Sequence, residues 1–97
     1  MKIEFSNRAV ADLRKVLADS HRTFGARVAE ALDARIGEVV THAAENPEAA
    51  PQVTRRSGVR VIPLVRYPYR IFYRLLEDRI RVLHIRHTSR HPWMEEC

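Results

Sequence analysis

Cysteine occurs once in this chain, at Cys97, so no disulfide can form within it and a cytoplasmic location is the default expectation. Glycine is almost as scarce. Gly25, Gly37 and Gly58 stand far apart, which excludes the glycine-rich loop that cradles nucleotide phosphates. No apolar run approaches the roughly 20 residues of a membrane span, and the opening MKIEFSNRAV lacks the apolar region of a signal peptide. No membrane role is therefore expected. Lysine is confined to Lys2 and Lys15, although Lys and Arg together number 17. What is present in quantity is arginine, whose planar fork makes directional contacts with phosphate and carboxylate.

The 97 residues are 45% hydrophobic and 30% charged, a globular composition with enough apolar material for one core, and a single domain over 1–97 is expected. Charge is unevenly divided. Residues 1–50 carry seven Lys and Arg against eight acids, whereas residues 51–97 carry ten Arg against four acids. The basic half suits an anionic partner, either nucleic acid or an acidic protein.

Lys2 to Phe5 alternates as a short strand. Ser6 fits a helix N-cap, and Val10, Leu13, Val16 and Leu17 predict a helix from about Asn7 to Ser20. Thr23-Phe24-Gly25 reads as a break. A second helix is expected from about Ala26 to Glu45, with Val28, Leu32, Ile36, Val39, Val40 and Ala43 as its apolar stripe and Asn46-Pro47 as its stop. The short break implies an antiparallel helical hairpin. A loop over 48–58 leads to three strands, near Val59–Val65, Tyr69–Leu76 and Arg79–His87. The order β-α-α-β-β-β implies an α+β fold of two layers, with the N-terminal strand and the helical hairpin packed on one face of an antiparallel sheet.

The stretch from Val59 to Arg90 holds the chemistry. In Arg66 to Arg74, residues two apart share a strand face, so Tyr69, Ile71 and Tyr73 point one way and Arg70, Phe72 and Arg74 the other. The second set offers guanidinium groups and an aromatic ring to a ligand. In the last strand Arg81, Leu83, Ile85 and His87 alternate with Ile80, Val82, His84 and Arg86. Both sets mix apolar and basic groups; Leu83 and Ile85 are read as inward, which leaves His84 and Arg86 on the open face. His84, His87 and His91 do not form a metal set: strand positions three apart face opposite ways, and no carboxylate or thiol completes them. No cofactor is implied. A ribonuclease reading has its parts. His84 or His87 would serve as acid or base, and Arg60, Arg66, Arg70, Arg86 and Arg90 would stabilise a charged phosphorane. Trp93 reads as a tail anchor, or as a contact for a partner.

These segments, taken together, resemble toxins of the RelE/ParE superfamily of bacterial type II toxin–antitoxin modules. The resemblance rests on Ser6–Leu13 (SNRAVADL), Asn46-Pro47, Val59–Pro63 (VRVIP), Tyr69–Arg74 (YRIFYR) and Ile80–Arg90 (IRVLHIRHTSR), and it spans nearly the whole chain. It implies a cytoplasmic protein that arrests growth when free, an acidic or amphipathic antitoxin segment wrapped around it, and operator DNA met only through that antitoxin. RelE-like members cleave mRNA on the ribosome; ParE-like members inhibit DNA gyrase. The chain departs from the RelE pattern, having no lysine over 46–58 or in the following strand and no tyrosine after Tyr73. Arginine is a poor general base. On the nuclease reading His87 would stand in as the acid, Glu48 would be the loop carboxylate, and His84, Arg86 and Arg90 would complete the site. The His87-x-x-Arg90 ending is similar to the ParE-like branch. The resemblance therefore implies a gyrase inhibitor, and Arg60, Arg66, Arg70, Arg74, Arg86, Arg90 and Trp93 are the candidates in this sequence for contact with its target or antitoxin. Ribosome-dependent mRNA cleavage is the alternative, and a toxin fold that only binds is the third.

Overall fold

Ser6 is where the first strand hands over to the first helix, and one residue does several jobs there. Its backbone N–H donates to the Val82 carbonyl, its hydroxyl accepts from the Ala9 N–H at 3.0 Å, and the same hydroxyl donates to the Leu83 carbonyl at 3.2 Å. A helix N-cap and a strand edge are thus satisfied together. The computed structural model describes residues 1–53 and 56–88. Within them the order is β1 Lys2–Phe5, α1 Asn7–Phe24, α2 Ala26–Glu45, β2 Val59–Pro63, β3 Tyr69–Leu75 and β4 Arg79–His87.

α1 runs past the expected Ser20 to Phe24, because Gly25 is the first residue that can leave the helical region. Its φ is +96°, and its N–H closes the helix on the His21 carbonyl. α2 has the boundaries expected of it. Leu32, Ile36, Val39, Val40 and Ala43 are buried, but Val28 is 36% exposed. It lies at the hairpin tip next to Phe24, itself 69% exposed, so the apolar stripe begins one turn later than its periodicity suggests.

The strands form one sheet in the order β1-β4-β3-β2. β2, β3 and β4 make the expected antiparallel meander, and β1 joins its edge parallel to β4, so the sheet is mixed. Two antiparallel helices return the chain to the end where β1 finished. The stretch 46–58 must therefore travel the length of the sheet before β2 can run in the direction of β1. That stretch is tied down along its course. Arg60 donates to the Glu48 and Ala50 carbonyls, the Tyr73 hydroxyl donates to the Pro47 carbonyl at 2.7 Å, and Val61 and Val53 exchange backbone bonds with the far side of the loop. β2 ends at Pro63, short of the expected Val65. Proline has no N–H for the next outward bond, Leu64 turns back to bond Tyr69, and Val65 is 80% exposed.

The helices cover one sheet face. Ala9 and Val16 of α1 and Leu32, Ile36, Val39, Val40 and Ala43 of α2 meet Ile71, Tyr73, Ile80, Val82 and Ile85. Each fully buried aliphatic side chain in this layer contributes about 1.5–3 kcal/mol. No helix among the described residues is long and apolar enough to cross a membrane.

Candidate partner-binding face

β4 changes phase in its middle. Phe72 pairs with His84 but Tyr73 pairs with Val82, so Leu83 is an extra residue with no partner on β3. The expected strict alternation is corrected here. Ile80 and Val82 point to the helices before the bulge and Ile85 after it, whereas Leu83 is half-buried at the bulge and not inward. The cause is local. β1 stops at Phe5 opposite Val82, and beyond that point α1 satisfies the edge: Ser6 takes the Leu83 carbonyl, and the Asp12 carboxylate accepts the Ile85 N–H at 3.1 Å. His84 and Arg86 face away from the helices, as expected.

The sheet face opposite the helices then reads as a ladder across β3 and β4. Arg70 stands opposite Arg86, Phe72 opposite His84, and Arg74 opposite Arg81. Like charges placed directly opposite repel, so two of the three rungs are electrostatically unfavourable on their own. Arg74 and Arg81 are held by identified partners. Arg74 donates to the Ser57 carbonyl and lies against Gly58, whose φ of +79° admits glycine and whose Cα would carry a Cβ only 2.9 Å from the guanidinium. Arg81 shares Glu4 with Arg79, and the Arg79 hydrogen bond holds the Glu4 carboxyl below its ordinary range. The Arg70 guanidinium makes no ion pair or hydrogen bond among the described residues.

Phe72 is 8% exposed, which corrects the expectation that this face offers an aromatic ring to a ligand. The ring packs edge-on against His84, with centroids 6.2 Å apart. Val59, 1% exposed, faces the same way opposite Arg74. Both stand apart from the main core, as a small apolar footing under the arginines. His84 is half-buried, and its Nδ1 is buried without a hydrogen-bond partner. Burial pushes its pKa below the ordinary histidine value, and Arg86, Arg8 and Arg56 push the same way, with Asp12 opposing them.

The remaining sequence candidates lie elsewhere. Arg60 points to the helix side and clamps the 46–58 connection. Arg66 sits in the β2–β3 turn, lining a groove over α2 with Arg35 and Glu38. His87 lies on the helix side, with its ring 5.1 Å from that of Tyr69, in a shallow cleft beside Arg8, Asp12, Lys15 and Asp19. His84 and His87 thus occupy opposite faces of β4. Glu48 is exposed, and its backbone carbonyl holds Arg60. Arg90, His91 and Trp93 lie outside the described residues, and among those described no three His, Cys, Asp or Glu side chains are grouped to hold a metal. Sequence reasoning assigned no role to Asp12, although it stands in the Ser6–Leu13 segment, nor to Arg56, whose proximity to His84 follows from the loop's return path.

A helical hairpin over one face of a four-stranded sheet matches the fold of RelE/ParE-type toxins. The chain belongs to the ParE toxin family of type II toxin–antitoxin systems, parDE, whose family model matches residues 3–92. Among solved structures it is similar to a chain of the chromosomal ParDE system of P. aeruginosa, with a TM-score of 0.78 and 24% identity over 90% of this chain and 95% of that one. It is similar to the isolated E. coli RelE toxin, with a TM-score of 0.58 and 22% identity over 98% and 92%. It is also similar to a YoeB/ParE toxin from Agrobacterium tumefaciens, with a TM-score of 0.62 and 20% identity over 90% and 98%. No curated protein sequence matches it significantly.

Proposed function

We propose that this ParE-family toxin inhibits DNA gyrase by binding it in the cytoplasm, and that a cognate antitoxin neutralises it by covering the same arginine-lined sheet face. Operator DNA is met only through the antitoxin. The observation that carries this reading is the separation of His84 from His87 by the sheet. Cleavage of RNA through its own 2′-hydroxyl needs a base and an acid on the two sides of one phosphate. Here one imidazole is held towards its neutral form against Phe72, and the other stands against Tyr69 on the helix side, in a cleft that Arg8 and Arg86 also line. Binding needs no such convergence, and a surface of forked cations is sufficient for it.

The test is induction of the chain alone in bacterial cells, with thymidine and methionine incorporation followed side by side. DNA synthesis is expected to fall first, and purified protein is expected to block supercoiling by gyrase. Toxicity should decline in steps with Arg66→Ala, Arg70→Ala and Arg86→Ala and survive His87→Ala. Collapse of protein synthesis while DNA synthesis continues, abolished by His87→Ala, would mean that the chain is a ribosome-dependent mRNA endoribonuclease instead. Unimpaired growth would leave a toxin fold that acts only by binding its partner.

A further inference from the structure

We propose that the open sheet face takes up a proton at His84 when it engages an acidic segment of a protein partner, so that the complex tightens as the pH falls. The inference rests on the reading of that face as the partner-binding surface.

The geometry carries the argument. His84 occupies the middle rung between the Arg70–Arg86 and Arg74–Arg81 pairs. Charges surround it: Arg86 on its own strand, Arg56 from the loop before β2, and Arg8 with Asp12 from α1 act on the ring, while Arg81 on its own strand and Arg70 and Arg74 on β3 stand on the neighbouring rungs. Among the described residues Asp12 is the only carboxylate acting on the imidazole, and it is already engaged by the Ile85 N–H and by Arg8. In the free face the neutral ring is favoured, since burial and the surrounding guanidinium groups both oppose its charge.

Arg70 is a guanidinium without an ion pair among the described residues, directly across from Arg86. A carboxylate that lies between these two arginines offsets part of the repulsion that they exert on the imidazole one rung away. The charged ring is then opposed less strongly than in the free face, and both ring nitrogens become donors to the incoming carboxylates. The bound-state pKa rises above the free-state value, and between the two the affinity gains at most about tenfold for each unit of falling pH. The face suits a protein and not a nucleic acid strand because its aromatic ring is covered. Phe72 is buried, so among the described residues this face offers no stacking platform to a base.

The experiment follows the His84 ring by heteronuclear NMR from about pH 5 to 8, on the full chain, free and saturated with a poly-glutamate peptide, with the His84 signal assigned by its loss in His84→Gln. Calorimetry in buffers of different ionisation enthalpy counts the protons taken up. The expected result is a His84 titration shifted upward by the peptide, net proton uptake, and an affinity that strengthens several-fold towards acid pH, a dependence that His84→Gln flattens. If the peptide binds and Arg70→Ala weakens it while the His84 titration stays in place, the proton coupling is overturned and the face reading survives. If Arg70→Ala leaves peptide binding unchanged, or the peptide does not bind at all, the face reading itself fails. Tighter binding of a single-stranded oligonucleotide at the same salt concentration, with the same dependence on Arg70, overturns the choice of an acidic protein segment.

Discussion

Asp12→Ala removes the acceptor that closes the edge of β4 where β1 ends. The Asp12 side chain is only 18% exposed, and its Oδ2 takes the Ile85 N–H at 3.1 Å while Oδ1 takes Arg8 at 3.2 Å. The two contacts differ in worth. The Arg8 side chain is 53% exposed, so its pair with Asp12 contributes about 0.3 kcal/mol. Truncation instead leaves the part-buried Ile85 N–H without an acceptor, and a hydrogen bond to a charged group is worth about 1.5–3 kcal/mol. Asp12→Ala is therefore expected to destabilise the chain by about 2 kcal/mol, which lowers Tm by about 8–16 °C in a domain of this size. Asp12→Asn keeps an oxygen acceptor and should recover more than half of that loss. Arg8→Ala should cost no more than the weak ion pair. Urea titrations of the three variants give the free energies, and hydrogen exchange at the Ile85 amide reports the bond directly. The reasoning is refuted if Asp12→Ala lies within about 0.5 kcal/mol of the parent, or if asparagine is as damaging as alanine.

Arg60→Ala should destabilise by about 1–3 kcal/mol, because the carbonyls of Glu48 and Ala50 both lose a charged donor. Tyr73→Phe, which removes the bond to Pro47, should cost about 1 kcal/mol and open the same connection, and limited proteolysis within 46–58 would register both changes. His84 also makes stability depend on pH. Its folded pKa lies below the unfolded value near 6.5, so the unfolded chain binds more protons in that window, and stability should fall as the pH drops below about 6.5 through the folded value. His84→Gln should remove that part of the acid sensitivity in denaturation curves collected above the carboxylate range; an unchanged slope would refute the assignment.

The fold was legible wherever one period ran uninterrupted. α2 is visible in its apolar stripe and Asn46-Pro47 stop, and β3 in the alternation of Tyr69, Ile71 and Tyr73 with Arg70, Phe72 and Arg74. Its β-α-α-β-β-β order and ParE-family membership were legible in the same way. Legibility failed where a distant residue sets the local geometry. The bulge at Leu83 depends on where β1 stops and on two side chains of the first helical turns, more than seventy positions away, so no periodicity within β4 contains it. For the same reason Arg60 reads as an exposed strand cation and is in fact a clamp, since its carbonyl partners belong to a loop whose route the sequence does not state. The candidate face was half legible: Arg70, Arg74 and Arg86 share it as their alternation suggests, but Arg60 and Arg66 lie elsewhere, and the burial of Phe72 was not foreseen.

The Arg70–Arg86 rung asks why a sheet face would keep two cations opposed. Packing does not require them. Neither belongs to the core that joins the helices to the sheet, and the apolar footing of this face is supplied by Phe72 and Val59. A directly opposed like-charge pair costs roughly 0.2–1 kcal/mol. If the rung serves binding, replacing one arginine by a strand-forming neutral residue should relieve that repulsion while weakening attachment to the partner. Arg70→Thr is the appropriate change, because threonine suits a half-buried strand position and carries no charge. It should raise the stability of the free chain by a few tenths of a kcal/mol, an increment that shrinks in high salt as the repulsion is screened. The same variant should lose affinity for the partner, most strongly at low salt. A variant less stable than the parent at every ionic strength would mean that Arg70 is held by packing of its aliphatic stem, and the argument from opposed charge to partner binding would no longer hold.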